Sequence, residues 1–180
     1  METVPYPFAD GTVCQLRLLA AGDEPLLQAF FYSHQPESIH LRYGYMITQM
    51  TGERAHELVA VDQSRDCALA LVEQSPEGPV IHAVARYCLD ADGKGAEVAF
   101  IVREAKQRNG MATLLVKELV KTARVRGLER VWSQVLRENT GALRLLKKLG
   151  FKQTGVDEGN LVMTLALQPA PGGKKKGKGA

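Results

Sequence analysis

The chain has 180 residues, of which 45% are apolar and 24% charged, the balance of one ordinary globular domain and not of a disordered or fibrous chain. No apolar run nears the roughly 20 residues that a membrane-spanning helix needs, and Met1-Glu2-Thr3-Val4-Pro5 lacks the basic start and apolar stretch of a secretory leader, so a cytoplasmic protein without a membrane partner is expected. Of the net charge of +3, Lys174, Lys175, Lys176 and Lys178 after Leu167 supply four, which leaves the body at −1 and makes nucleic acid an unlikely partner.

The first ten residues read as an irregular lead-in, and Thr12–Leu19 as a first strand. Asp23 is a fitting N-cap, with Pro25 in the first turn, for a helix reaching about Ser33. Pro36 and Glu37–Tyr45 suggest a second short helix, and Thr51 opens a third, Gly52–Val61. The rhythm then changes to strands at Cys67–Glu73, Val80–Leu89 and Ala96–Arg103, separated by the turn clusters Ser75–Pro79 and Asp90–Gly93. Cys67 and Cys88 lie in these apolar runs, where cysteine behaves as a small buried hydrophobe. With Cys14 they make an odd set with no CxxC, and the four histidines do not cluster, so neither a disulfide framework nor a metal site is expected.

The clearest helix spans about Asn109–Arg126: Met111, Leu114, Leu115, Leu119 and Ala123 recur at three- and four-residue steps, and Gly127 stops it. A strand at Arg130–Leu136 follows, then a helix near Asn139 with the stripe Ala142, Leu145, Leu146, Leu149, read as core, and Gly150 as its stop. Phe151–Thr154 and Leu161–Leu167 close the body around a Gly155–Asn160 turn. Residues 168–180 hold almost nothing but Pro, Gly, Lys and Ala, a composition expected to stay disordered. The sum is an α/β domain over residues 1–167 with a mixed sheet.

The chemistry concentrates in Ala96–Thr113, where a strand runs through a loop into the longest helix. The first turn of a helix offers unpaired N–H groups and the positive end of the dipole, a natural seat for a diphosphate. Gly110 and Ala112 let phosphate oxygens approach the backbone, and Gln107 and Arg108 add side-chain donors. Glu97 shares a strand face with Ala99, Ile101 and Arg103, and a carboxylate amid an apolar strand needs a partner, water or a task.

Gln107-Arg108-Asn109-Gly110-Met111-Ala112 resembles the Q/R-x-x-G-x-G/A signature of the GNAT acetyltransferases. Asn139-Thr140-Gly141-Ala142 followed by Lys148-Leu149-Gly150-Phe151 resembles the second cofactor element of that family, and the likeness covers roughly Thr12–Leu167. It implies a GNAT fold, a mixed twisted central sheet flanked by helices, with acetyl-CoA as co-substrate and no metal. By the same resemblance, the backbone at Ile101 and Val102 holds the pantetheine arm and thioester. Gln107, Arg108, Asn109, Gly110, Met111, Ala112 and Thr113 hold the diphosphate. Asn139 touches the cofactor from the later helix with Leu145 and Leu146 nearby, and Glu97 is the general base. Where the family often has a tyrosine as acid for the departing thiolate, this sequence has Leu146.

Ser33–Tyr43, with Val61-Asp62 and Arg65-Asp66, is similar to the acetyltransferase domain of bacterial Pat-type protein lysine acetyltransferases. That implies a protein lysine as acceptor, for example on acyl-CoA synthetases. A small-molecule amine acceptor and a non-catalytic acetyl-CoA-binding regulator remain as alternatives. Arg42 and Tyr43 in this segment suit either a structural patch or substrate recognition.

Overall fold

The computed structural model describes residues 5–167, so the segment expected to be disordered, 168–180, lies outside the described residues. Among the described residues, eight strands form one sheet: β1 (Pro5–Pro7), β2 (Val13–Leu18), β3 (Cys67–Ser75), β4 (Gly78–Leu89), β5 (Gly95–Val102), β6 (Arg130–Val135), β7 (Lys152–Asp157) and β8 (Asn160–Ala166). The helices are α1 (Glu24–Tyr32), α2 (Pro36–Tyr43), α3 (Gly52–Val59), α4 (Met111–Val125) and α5 (Thr140–Lys148). Spatial order is β1-β2-β3-β4-β5-β6-β8-β7. All neighbours are antiparallel except β5 and β6, which run parallel because α4 carries the chain across between them.

Each face of the sheet has its own apolar layer. On one, Leu69, Leu71, Ala83, Ala85, Tyr87 and Val98 pack with Met111, Leu115 and Leu119 of α4 and Leu143 and Leu146 of α5. On the other, Ala68, Ala70, Val72 and Val84 meet Leu27, Phe30 and Phe31 of α1, Ile39 of α2, and Ala55 and Leu58 of α3. Because β3 is covered on both sides, its sequence Cys67–Val72 is continuously apolar and buried instead of alternating.

Several expected boundaries move, for identifiable reasons. The lead-in contains a strand, since Pro5–Pro7 pairs with β2 at the sheet edge, where the missing proline N–H removes no interior ladder bond. The Ser75–Pro79 cluster is not a long turn: Ser75 pairs with Gly78, and Pro79 extends β4 at a point that β5, which pairs only from Ala83, does not reach. Likewise Gly155 is a strand residue at a register shift between Gln153 and Gly155, with only Glu158 and Gly159 left to turn the chain. Asp23 stands at the α1 N-cap without a capping bond. Its carboxylate instead accepts both terminal nitrogens of Arg17, each at 2.7 Å, and the Ala20 N–H at 2.9 Å. Burial pushes the Asp23 pKa up, but these bonds outweigh it and hold the group below its ordinary value. Cys88 is exposed, not buried, because its face of β4 runs past the edge of the helical layer. The α5 stripe divides as well: Leu143 and Leu146 are buried, whereas Ala142 and Leu145 border a cleft.

Candidate active site

The site begins where two parallel strands part. Pairing of β5 with β6 covers only Gly95–Arg130, Ala96–Val131 and Glu97–Trp132. Beyond Glu97, the side of β5 turned toward β6 has no strand partner, so Val98–Val102 presents free backbone polar groups to whatever fills the gap. The start of the pair is pinned. Arg130 donates to Asp90 at 2.9 Å and Asp92 at 2.8 Å, and the Trp132 indole donates to Asp90 at 2.9 Å. Gly95 leaves room for this crossing, since a Cβ there would collide with the Asp90 carboxylate and the Arg130 side chain.

The parted strands open a cleft of about 530 Å³, within the range of small-molecule sites. Ile101 and Val102 form its strand wall, with Gln107, Arg108, Gly110, Met111, Ala112 and Thr113 at the start of α4, and Asn139 and Leu145 at α5. Two helix N-termini therefore flank it. Gly110 has a left-handed φ of +89° at the α4 N-cap, and a Cβ there would meet nothing within 4 Å, so the backbone is reachable from the cleft. The Gln107 amide donates to the Val102 carbonyl at 3.2 Å and ties the loop to the strand end. Asn139 accepts from the Ala142 N–H at 3.1 Å as the α5 cap and donates to the Leu41 carbonyl at 3.4 Å, joining α5 to α2. Asn109 sits in the turn before Gly110 and does not line the cleft.

Among the described residues, four basic side chains, Arg42, Lys106, Arg108 and Lys148, line the cleft against one acid, Glu138, a balance suited to a polyanion. Lys106 lies in the loop before α4 and is not a free solvated charge: its ammonium reaches Asp10 at 2.9 Å and the Thr12 hydroxyl. That bond, first among the causes, lowers the Asp10 pKa to about 2. Ser38, Leu41 and Arg42 of α2 also border the cleft. No local motif marks them as lining, because they arrive from a distant segment through tertiary packing.

Glu97 lies at the last position of β5 that is paired with β6, outside the cleft lining and on the face shared with Ala99 and Ile101. It is half-buried, with no hydrogen bond or ion pair among the described residues. Burial pushes its pKa up, Arg42 opposes the rise and Asp90 adds to it. Leu146 is 0% exposed within the core, so no hydroxyl stands at that helix position. Behind Ile101 a smaller cavity of about 30 Å³ shares Ile101 and Arg42 with the cleft and reaches Ala99, Arg86 and Tyr43.

A family model described as "Acetyltransferase (GNAT) family" matches residues 27–151, and the chain belongs to that family: it is an acetyl-CoA-dependent acetyltransferase with the GNAT fold. Its structure is similar to the GNAT domain of PAT from S. lividans, with 24% identity, a TM-score of 0.82, and 92% of this chain and 97% of that one covered. It is also similar to yncA, a putative acetyltransferase from Salmonella typhimurium solved with its cofactor acetyl-CoA (20% identity, TM-score 0.69, 88% and 96% covered). A third similar structure is a cAMP-binding acyltransferase from Mycobacterium smegmatis (22% identity, TM-score 0.63), of which this chain spans 48% while 93% of this chain is covered. Among the described residues, no helix is long and apolar enough to cross a membrane.

Proposed function

We propose that the acceptor is the side-chain amine of a protein lysine and that the domain, residues 1–167, acts in the cytoplasm. The observation that carries this reading is the open acceptor side. Past the helical layer, the sheet face beside Glu97 presents an exposed Cys88 and half-buried Trp132 and Gln134, a surface that a lysine projecting from a folded protein can reach. Tyr45 and Met46, 59% and 57% exposed on the loop after α2, add apolar area of the kind protein contacts use.

Acetyl-CoA supplies an activated acyl group as a thioester. The backbone from Gln107 to Thr113 binds its diphosphate, with Arg108 adding charge, and the free edge of β5 at Ile101 and Val102 orients the thioester carbonyl. Asn139 and Leu145 border the arm from α5. A lysine amine is mostly protonated at neutral pH, so Glu97, held half-buried with a raised pKa, takes one proton directly or through a water. The neutral nitrogen forms the C–N bond as the C–S bond breaks, and it loses its second proton to solvent water. The electron pair leaves on sulfur, which is protonated from solvent because Leu146 offers no acid.

Incubation with isotopically labelled acetyl-CoA and a lysate of the host, followed by peptide mass spectrometry, is expected to find labelled lysine side chains that are absent with heat-inactivated enzyme. Label confined to small amines would overturn the protein acceptor, and cofactor binding without any labelled product would favour a non-catalytic regulator.

A further inference from the structure

The acceptor side of the sheet holds more positive charge than the structure balances. Arg86 of β4 stands opposite Ala99, and Cys88 opposite Glu97, so both share the Glu97 face. Arg42 comes down on this face from α2, its guanidinium 4.7 Å from the centre of the Tyr43 ring. Neither arginine forms an ion pair among the described residues. The Arg86 guanidinium donates at 2.7 Å to the Leu58 carbonyl, which is neutral. Glu97 is the one carboxylate among the leading electrostatic neighbours of the pair, and it acts on Arg42. Burial is the main influence on both guanidinium groups and works against their charge, so this charge lacks full hydration as well as an ion-paired partner.

The reaction sharpens the imbalance. If Glu97 accepts the amine proton, the pair loses the negative charge that faces it at the moment of acyl transfer. Arg42 lines both the cleft and the 30 Å³ cavity, and Arg86 lines the cavity, a space with room for a water whose other walls are mostly apolar, from Phe30, Phe31, Met50 and Leu58. A planar guanidinium presents a fork of donors that matches a carboxylate.

We propose that Arg42 and Arg86 form a receptor for a carboxylate carried by the acceptor, which selects a target lysine with an acidic residue beside it. This rests on the protein-lysine reading. The Arg–Tyr pair of α2 is then a specificity device and not only a structural patch.

Three peptides that differ only in the residue after the lysine, Glu, Gln or Lys, test this with acetyl-CoA and thiol-release kinetics. One amino acid and its decarboxylated amine are assayed in parallel. The Glu peptide is expected to exceed the Gln peptide in kcat/KM by about tenfold, the scale of one charge-assisted hydrogen bond. Arg42→Gln should bring that ratio to about two or less, and Arg42→Lys should leave an intermediate ratio because it keeps the charge without the fork. Arg86→Gln should also lower the ratio, and a cooperative thermal unfolding transition in the absence of ligand verifies that each variant is folded. Equal turnover of the three peptides, or a preference that survives both Gln variants, overturns the receptor and leaves the lysine reading standing. Turnover of the amino acid alone, lost in Arg42→Gln, supports the receptor and overturns the lysine reading. Absence of turnover with every carboxylate-bearing amine overturns it as well.

Discussion

Glu97→Gln is expected to lower kcat on a verified acceptor by at least about tenfold, within the 10²- to 10⁴-fold that general-base assistance typically contributes. The substitution keeps the side-chain volume and breaks no side-chain hydrogen bond or ion pair among the described residues, since the Glu97 carboxylate makes none. Its consequences are therefore the loss of a proton acceptor and of the negative charge that acts on Arg42. Acetyl-CoA affinity should change little, because Glu97 stands at the point where β5 and β6 part and not in the lining of the cleft. The sign of the pH dependence follows from the protonation states. Burial raises the pKa of Glu97, so the acid limb of the wild-type kcat/KM profile should lie above the ordinary carboxylate range, and this limb should vanish in the variant. At high pH more amine arrives already neutral, and the deficit should shrink. Near-wild-type turnover at neutral pH would place the base elsewhere and leave Glu97 as a half-buried strand residue.

Gly110→Glu is expected to remove the stabilisation that acetyl-CoA confers. Ligand at about 100 times its dissociation constant stabilises a fold by roughly 2.7 kcal/mol, a readily measured rise in Tm. At Gly110 a side chain would meet no atom within 4 Å, so the variant projects its carboxylate into the open space at the head of α4. There it would compete for the N–H groups and repel the diphosphate. The backbone adds a separate cost: φ is +89°, and a side-chain-bearing residue in the left-handed region loses about 1–2 kcal/mol. Gly110→Ala isolates that cost, lowering basal Tm while keeping most of the ligand-induced rise. A Gly110→Glu protein stabilised by acetyl-CoA as strongly as Gly110→Ala would show that the diphosphate sits elsewhere.

The elements were legible in the sequence wherever a single period governs a segment. Met111, Leu115, Leu119 and Ala123 declare α4, and the buried run Cys67–Val72 declares a central strand. The Gln107–Ala112 loop was legible for a chemical reason, because small residues at a helix start admit phosphate. What the sequence did not disclose depends on packing between distant segments. Nothing local to α2 shows that Ser38, Leu41 and Arg42 border the cleft, and Asn139 meets the Leu41 carbonyl across 98 positions. Lys106 looks solvated until Asp10 and Thr12 are brought to it by β2 and the loop before it. Cys88 reads as buried because its strand is apolar, but the helical layer ends before reaching it. On α5 the periodicity marks one apolar stripe without saying that Leu146 faces the core and Leu145 the cleft.

The most direct measurement of the central claim, that acyl transfer takes place at the parting of β5 and β6, is a crystal structure with a coenzyme A–lysine conjugate that joins donor and acceptor. The expected result places the diphosphate on the backbone amides of Gln107–Ala112, the linking acyl group beside Ile101 and Val102, and the lysine nitrogen within hydrogen-bond reach of Glu97, directly or through one water. A diphosphate bound away from the start of α4, or a lysine nitrogen on the face of β5 opposite Glu97, would contradict it.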